Sequence, residues 1–339
     1  MKILFGSYQA ISILEGGVKT QVWALKTELE KLGHEVTLFN SWENIQLRDY
    51  DFVHLFCAHI GTYHLAQAIS ALGVKIILTP IVFSRRHPTF IKLMLPYTKL
   101  AAKFGGFYHY YIVSELSRQA KLILANTQAE CDLIHRAFGV SRNKIKFLPN
   151  GVEERFYFAE PDLFTQKYGL KDFMLYVGHI GWPRKNLLRF LEVSCEFDVP
   201  LVLIGKILEN SYAHACVELI KKRRHTLVIS DLDYQSPILA SAYAACDLFI
   251  LPSYYETPGL AALEAALAGA KIVITQYGGT KEYFREYAHY LNPYSKSSIR
   301  AAITQTLSKK KEPQLREYIR QNYLWRRCAE DLVEIYKSV

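Results

Sequence analysis

Two glutamates, Glu256 and Glu264, are separated by seven residues in the segment DLFILPSYYETPGLAALEAALAGAKIVIT, residues 247–275. The segment predicts a strand that ends at Pro252, a loop that carries Glu256, and a helix opened by Pro258 and Gly259, because proline is tolerated in the first helical turn. At about 1.5 Å of rise per residue, Glu264 lies roughly 8 Å beyond the helix start. The two carboxylates therefore flank the helix N-terminus.

The chemistry of this segment suits a nucleotide-diphosphate sugar. A helix N-terminus offers unpaired N–H groups and the positive end of the helix dipole, which favours a diphosphate. Gly259 allows a ligand to approach the backbone closely, and ionised carboxylates accept strongly from hydroxyl groups such as those of the two sugar rings. A solvated acidic loop followed by an ordinary helical glutamate explains the spacing equally well, so the residues alone leave both interpretations open.

Short apolar runs alternate with amphipathic segments along the chain, which is typical of parallel sheets covered by helices on both faces. We predict strands at residues 2–6, 35–39, 52–56, 75–80, 122–126 and 145–151, and after a pause near residue 155 at 173–178, 201–205, 227–230, 248–253 and 271–275. The sequence thus predicts two doubly wound domains, residues 1–155 and 156–312. A helical tail, residues 313–339, is expected to pack back on the first domain.

Composition agrees with two folded domains, since 339 residues exceed what one hydrophobic core usually supports. The net charge of +9 favours an acidic partner, which could be a phosphate-bearing small molecule, an anionic membrane or nucleic acid. The six cysteines are far apart and form no CxxC pair, which predicts reduced thiols in a cytoplasmic protein. No apolar run approaches the roughly 18 residues of a membrane span, so any membrane contact is expected to be peripheral.

The spacing of the two glutamates, the Ala-rich helix, Gly269 and the β-branched strand after it resemble the donor-site motif of the retaining GT-B glycosyltransferases of family 4. Further fragments follow in that family's order: Glu15-Gly16-Gly17, His34, Asn126-Thr127, Pro149-Asn150-Gly151-Val152, Val177-Gly178, Arg184-Lys185-Asn186, and Gly278-Gly279 with Glu282. Together they cover most of the chain. The resemblance implies two Rossmann-like domains that face a cleft, the GT-B architecture.

The resemblance also implies roles for matching residues. Glu256 would hold hydroxyls of the donor sugar, Glu264 the ribose hydroxyls, and Lys185 the departing diphosphate, helped by the helix dipole and without a metal ion or cofactor. Asn186 is expected to cap the helix that follows it. The predicted donor-binding residues are Gly16, Gly17, His179, Arg184, Lys185, Leu232, Glu256, Pro258, Gly259, Leu260 and Glu264, of which Glu256 and Lys185 are predicted to be catalytic.

Two positions depart from the family pattern. His179 stands where an arginine usually follows the Val-Gly strand end, so its phosphate contact is expected to be weaker and dependent on pH, with Arg184 as compensation. Beyond the fourth strand the family commonly has a histidine near the reacting sugar carbon. Here the strand runs into Thr79-Pro80-Ile81 and His87 comes seven residues after Pro80, so the sequence identifies no residue for that place.

Gly16 and Gly17 follow the first strand, where a backbone loop can approach the donor phosphate or the acceptor at the positive end of the next helix. A tight turn is the alternative interpretation. No third glycine completes a GxGxxG fingerprint, which disfavours a nicotinamide enzyme. Asp231-x-Asp233 matches a metal-binding DxD motif, but we expect these aspartates to form a turn and the backbone near Leu232 to meet the nucleotide base.

Two further features of the first half of the chain allow more than one interpretation. His54 and His59 either line an acceptor pocket or have a purely structural role. The segment from Phe90 to Tyr111 interleaves Lys92, Lys99 and Lys103 with apolar residues, which is typical of an acceptor surface, of contact with an anionic membrane, or of ordinary core packing.

The sequence predicts a metal-independent hexosyltransferase of carbohydrate biosynthesis, which moves a sugar from a UDP- or GDP-sugar to a glycan, lipid-linked or small-molecule acceptor. The resemblance implies that the transfer retains the anomeric configuration. The product would be UDP or GDP, and no nucleic acid partner is expected. A cytoplasmic location is predicted, with the inner face of a membrane left open. The alternatives are a nucleotide-sugar epimerase, a phosphorylase-like GT-B enzyme, or a non-catalytic basic protein that binds membrane or nucleic acid.

Overall fold

The structure is a computed structural model, and it describes residues 1–13 and 15–339. The chain divides into two compact units, Met1–Gly151 with Trp325–Val339, and Val152–Leu324. Among the described residues, no helix is both long enough and apolar enough to cross a bilayer.

The first unit is built on a parallel sheet of six strands in the order β2-β1-β3-β4-β5-β6. The strands are β1 (Lys2–Gly6), β2 (Glu35–Leu38), β3 (Phe52–Phe56), β4 (Ile76–Thr79), β5 (Leu122–Ala125) and β6 (Ile145–Phe147). The helices are α1 (Gly17–Lys31), α2 (Ile60–Ala71), α3 (Pro88–Ala102), α4 (His109–Gln119) and α5 (Gln128–Phe138), and the C-terminal helix Trp325–Tyr336 completes the unit. Strands β3, β4 and β5 are buried along their whole length, as expected for a sheet covered on both faces.

The second unit holds another six-stranded parallel sheet, in the order β12-β11-β10-β7-β8-β9. Its strands are β7 (Met174–Val177), β8 (Leu201–Ile204), β9 (Thr226–Ile229), β10 (Leu248–Leu251), β11 (Lys271–Thr275) and β12 (His289–Leu291). Its helices are α6 (Asp162–Tyr168), α7 (Leu187–Ser194), α8 (Ser211–Lys222), α9 (Pro237–Ala245), α10 (Leu260–Leu267), α11 (Thr280–Phe284), α12 (Lys296–Leu307) and α13 (Pro313–Asn322).

The predicted fold of two doubly wound parallel sheets is confirmed, and each of the eleven predicted strands is present. Strand β12 was missed because it has only three residues, lies at the sheet edge and buries only Leu291 fully. The division of the chain differs from the boundaries drawn at residues 155 and 313. Helix α13 packs on α10 within the second unit, and only the C-terminal helix packs on α1. An amphipathic pattern reveals that a helix has a buried face but not which core it covers.

His54 serves the structure of the first unit. It is fully buried on β3, where Nδ1 lies 2.6 Å from the Tyr336 hydroxyl and Nε2 lies 2.8 Å from Oγ1 of Thr79. Burial lowers the pKa of His54 to about 3, so the ring stays neutral. His54 therefore connects the C-terminal helix to strands β3 and β4. His59 caps α2 by accepting from the Gly61 amide at 3.2 Å.

Candidate functional site

Glu256 lies in the loop after β10, and its carboxylate is buried in a cluster of positive groups. The side-chain nitrogen of Lys185 donates to Oε1 at 2.8 Å, and the Ser253 hydroxyl donates to the same oxygen at 2.6 Å. A guanidinium nitrogen of Arg184 lies 3.5 Å from that oxygen. No described residue donates to Oε2 of Glu256, so this oxygen keeps its full capacity to accept hydrogen bonds.

The charges of this cluster hold Glu256 in its ionised form. Burial by itself raises the pKa of Glu256, but Lys185 and Arg184 and the hydrogen bonds outweigh burial, so the pKa lies below its ordinary value. Burial also lowers the pKa of Lys185, which the neighbouring carboxylate opposes. Two cations thus share one carboxylate, and the cluster has a net positive charge.

The backbone of Glu256 is fixed by the loop after β11. Its amide donates to the Tyr277 carbonyl at 3.1 Å, and its carbonyl accepts from the Gly279 amide at 2.9 Å. Gly278 has a φ of +97°, and a Cβ there would lie 1.9 Å from the Glu256 carbonyl oxygen. Only glycine fits this position, which explains the first glycine of the Gly278-Gly279 pair found in the sequence.

Lys185 is placed by a short 3-10 turn, Pro183–Lys185, after β7. Asn186 follows it with a left-handed φ of 54°. The expectation that the Asn186 side chain caps α7 was wrong, because it makes no cap bond. Its amide nitrogen instead donates to the carbonyls of Pro252 at 3.1 Å and Pro293 at 2.9 Å. Asn186 therefore connects the turn that carries Lys185 to the loop that carries Glu256.

These loops meet at the point where the sheet changes its direction of winding. The chain leaves β7 toward β8 and β9 on one side, and β10 to β12 lie on the other side. Ligands of open α/β sheets bind outside the carboxyl ends of the strands at such a switch point. Lys185 follows β7 and Glu256 follows β10, so both stand at this switch point.

Helix α10 begins at Leu260, two residues later than predicted: Gly259 is the N-cap residue with a φ of 93°, and Pro258 precedes the cap. No side chain caps this helix. Pro258 and Gly259 are buried, and Leu260 is half-buried against the core. Helix α10 therefore begins four residues beyond Glu256, and no side chain caps its first amides.

Glu264 lies within α10, and two tyrosine hydroxyls donate to it. Tyr234 donates to Oε1 at 3.0 Å and Tyr243 donates to Oε2 at 2.7 Å. The carboxyl is buried, which raises the pKa of Glu264 to about 7 despite these bonds. Sequence reasoning missed both tyrosines. A signal exists for Tyr243, since a tyrosine in the apolar run of α9 needs a partner for its buried hydroxyl.

Arg155 supports the same network from the side of Tyr234. Its guanidinium donates to the Tyr234 carbonyl at 2.7 Å and lies 5.0 Å from the centre of that ring. A second bond, at 2.8 Å, joins Arg155 to Glu153. The loop that carries Tyr234 is thus held in position against Glu264.

His179 follows β7 directly, beside the end of β8. Its ring contacts Trp182 edge to face at 4.9 Å, and its buried Nδ1 has no hydrogen-bond partner among the described residues. A Cβ at Gly205 would lie 2.3 Å from the Gly178 carbonyl oxygen, so the two strand ends approach closely. His179 therefore has a buried polar atom without a described partner at the same edge of the sheet as Lys185.

The remaining predicted residues lie elsewhere. Leu232 packs against the core of the second unit from the loop after β9. The exposed Asp233 forms the expected turn, since Oδ1 accepts from the Gln235 amide at 2.6 Å. Gly16 and Gly17 begin α1 in the first unit, where both are exposed. Within residues 1–13 and 15–339, no group of three or more His, Cys, Asp or Glu side chains could hold a metal ion.

Two family models match the chain. The model of the glycosyl transferases group 1 matches residues 164–323, and the model of glycosyltransferase family 4 matches residues 39–156. The chain belongs to the family 4 glycosyltransferases of GT-B fold. The predicted family is thereby confirmed.

Curated relatives and solved structures agree with this assignment. An uncharacterized glycosyltransferase of Methanocaldococcus jannaschii is 26% identical over 222 residues, 59% of this chain and 55% of that protein. Mannosylfructose-phosphate synthase of Agrobacterium fabrum is 24% identical over 200 residues, 54% of this chain and 44% of that protein. The matches therefore span about half the length of these relatives.

Two solved structures establish the fold over the full chain. Sucrose-phosphate synthase from Thermosynechococcus elongatus superposes with a TM-score of 0.77 at 15% identity, covering 100% of this chain and 99% of that one. Anabaena HepE in complex with UDP and glucose superposes with a TM-score of 0.70 at 18% identity, covering 100% of both chains. At these levels of identity, both superpositions show that the chain has the GT-B fold.

Proposed function

We propose that this glycosyltransferase moves a hexose from a UDP- or GDP-sugar to a hydroxyl of a glycan, lipid-linked or small-molecule acceptor, with retention of configuration and without a metal ion. The observation that carries the proposal is the ion pair of Glu256 with Lys185, beside the uncapped N-terminus of α10. Family membership supplies the class of reaction, and the residues at this switch point supply the roles.

Glu256 is proposed to orient the donor sugar. Its pKa lies below the ordinary value, so the group is ionised near neutral pH. Lys185 and Ser253 both use Oε1, which leaves Oε2 to accept from sugar hydroxyls. Hydrogen bonds to a carboxylate are stronger than those between neutral groups, so this oxygen contributes to the orientation of the ring.

Lys185 and Arg184 are proposed to stabilise the departing diphosphate. The cluster has a net positive charge, and the amides of Gly259 and Leu260 open α10 next to it. Negative charge grows on the diphosphate as the glycosidic bond breaks, and donors already fixed in place favour that charge without reorganisation. His179, whose buried Nδ1 has no partner among the described residues, is proposed as a further contact.

Glu264 is proposed to accept from the ribose hydroxyls while the tyrosines hold it in place. When Glu264 is ionised, each carboxylate oxygen can accept two hydrogen bonds, and Tyr234 and Tyr243 use one on each oxygen. One site on each oxygen therefore remains for a ligand hydroxyl. The HepE structure, which holds UDP and glucose, supports a nucleotide ligand for this fold.

The test is a panel of UDP- and GDP-sugars with the parent protein and the variant Glu256→Gln. A bound donor at 100 times its dissociation constant should raise the free energy of unfolding by about 2.7 kcal/mol. Release of UDP or GDP in the presence of acceptor should fall at least about a hundredfold in Glu256→Gln. The matched control is Glu218→Gln, an exposed glutamate of α8 paired only with Lys221.

Several outcomes would contradict the proposal. If no nucleotide diphosphate or nucleotide sugar stabilised the protein against unfolding, the proposed donor-binding site would be wrong. Turnover of a UDP-sugar with no acceptor consumed would indicate an epimerase. Loss of transfer on addition of EDTA would contradict metal independence, and an inverted anomeric configuration in the product, read by NMR, would contradict retention.

A further inference from the structure

Helix α3 has an exposed apolar face, separate from the face that packs against the core. Five apolar side chains of the helix are exposed, with exposed fractions of 43%, 66%, 37%, 68% and 56% for Phe90, Leu93, Met94, Tyr97 and Leu100. Each of them has another of the five three or four positions away along the chain, so together they form one continuous stripe along the helix. We call these five residues the α3 apolar face.

The opposite side of α3 makes the core contact. Ile91 and Thr98 are buried and Leu95 is half-buried, where α3 packs against α4 and α5. At about 100° per residue these three positions span roughly 60° of the helix, whereas the α3 apolar face spans roughly 120° on the other side. The exposed stripe is therefore a second apolar surface, larger than the one that anchors the helix.

Lysines occupy the side between these two surfaces. Lys92, Lys99 and Lys103 lie within roughly 40° of one another around the helix. Lys99 lies 3.7 Å from Glu115, whereas no ion pair joins Lys92 or Lys103 to any described residue. Arg86 adds a further charge next to the stripe, since its guanidinium lies 5.0 Å from the centre of the Phe90 ring.

The surrounding sequence lacks acidic residues altogether. From residue 52 to residue 114 the chain contains no Asp or Glu, and it contains six basic residues, Lys75, Arg85, Arg86, Lys92, Lys99 and Lys103. These six charges amount to two thirds of the net charge of +9 of the whole chain. The apolar face therefore belongs to a stretch of the chain whose own charged residues are all basic.

We propose that α3 docks the protein on an anionic lipid bilayer, with the α3 apolar face in the headgroup region and Lys92 and Lys103 at the phosphates. A helix with an apolar stripe bordered by lysines is the form that lies in the plane of a membrane surface. Basic side chains near an anionic leaflet add attraction, and aromatic residues such as Tyr97 favour the interface. Phe104, which is 84% exposed just beyond the helix, extends the same surface.

This docking is independent of the proposed transfer reaction, so each can fail without the other. The experiment is co-sedimentation of the full chain with vesicles of phosphatidylglycerol and phosphatidylcholine in equal parts, compared with vesicles of phosphatidylcholine alone. The parent protein should bind the anionic vesicles and lose binding as salt is added, because salt screens surface charge.

Two pairs of variants separate the apolar and the charged contributions. Leu93→Gln with Leu100→Gln should lower the partition coefficient on the order of tenfold for each leucine. Lys92→Glu with Lys103→Glu should lower it at least about 25-fold, since each basic residue contributes roughly fivefold. The matched controls are Leu72→Gln with Leu163→Gln, and Lys171→Glu with Lys222→Glu, which alter exposed residues elsewhere and should keep binding.

Circular dichroism melting of each variant establishes whether it is folded. We expect all of them to fold, because the substituted positions are exposed. Absence of binding by the parent would overturn the proposal, as would equal loss of binding in the control variants. Equal binding to neutral vesicles, with no effect of the lysine changes, would also overturn it. A parent protein that is dimeric by light scattering and becomes monomeric in Leu93→Gln with Leu100→Gln, without vesicle binding, would assign the face to a second copy of the chain instead.

Discussion

The side-chain nitrogen of Lys185 lies 2.8 Å from Oε1 of Glu256, although 71 positions separate the two residues. The contact exists because β7 and β10 are neighbours in the sheet, so the turn after one strand meets the loop after the other. A buried ion pair contributes little net stability unless it is well hydrogen-bonded. Its place at the switch point favours a role in binding over a role in folding.

Removal of the lysine should affect both transfer and stability. In Lys185→Met, kcat should fall about 10²- to 10³-fold, because a fixed donor to the leaving diphosphate is lost. The free energy of unfolding should fall by about 2–4 kcal/mol, since Glu256 stays buried with only Arg184 and Ser253 nearby. Steady-state kinetics and urea unfolding measure the two effects.

Lys221→Met is the control for this change, because Lys221 pairs with Glu218 on an exposed helix surface. It should change the free energy of unfolding by less than about 1 kcal/mol. A Lys185→Met protein with parental kcat would show that the lysine only serves the structure.

Glu264 should make stability depend on pH. Its pKa is about 7 in the folded protein against an ordinary value of 4.5, so the folded state binds more protons than the unfolded state between these values. The free energy of unfolding should therefore fall as pH rises from about 5 to about 7.5, by up to about 3 kcal/mol in total. Glu264→Gln should remove this decline.

Urea unfolding of the parent and of Glu264→Gln across that pH range measures the effect. The difference between the free energies of unfolding of the two proteins should change steadily with pH across this range. Two curves that run parallel would mean that Glu264 keeps an ordinary pKa in the folded state.

Tyr243 should position Glu264. Tyr243→Phe removes the hydroxyl that donates to Oε2 of Glu264. Because a buried carboxylate oxygen then loses its hydrogen bond, the free energy of unfolding should fall by about 1–3 kcal/mol. Because that bond lowers the pKa of Glu264, the pH-dependent loss of stability should shift to higher pH. The KM for the nucleotide sugar should rise more than kcat falls, since Glu264 is proposed to hold the ribose.

Tyr168→Phe is the matched control, because no described residue hydrogen-bonds the Tyr168 hydroxyl and the ring is half-buried. It should leave the pH profile unchanged. An unshifted profile in Tyr243→Phe as well would contradict the positioning role.

Gly278 should tolerate no side chain. In Gly278→Ala the new Cβ meets the Glu256 carbonyl oxygen at 1.9 Å in a left-handed backbone conformation. The loop that fixes Glu256 must move, so we expect a loss of about 2–4 kcal/mol of stability and a large fall in transfer. Thermal melting and activity assays check this. Gly16→Ala, where a Cβ meets no atom within 4 Å, should melt near the parental temperature.

The sequence by itself determined the two parallel sheets. Runs such as IILT at 76–79 and LFIL at 248–251 are apolar at every position, and only a strand covered on both faces buries all of them. The short edge strand β12 has no such run, since only Leu291 is fully buried. The Glu-x7-Glu spacing and the ordered fragments likewise sufficed to name the family.

Only the tertiary structure decided which side chains form ion pairs and hydrogen bonds with one another, and which helix faces are covered. The contact of Lys185 with Glu256 depends on the strand order β10-β7, and the tyrosines on Glu264 come from a loop and a helix outside its motif. The sequence of α3 shows apolar and basic residues but not which stripe its neighbours cover. Such contacts are long-range, and they arise from how elements pack after each has formed its own local structure.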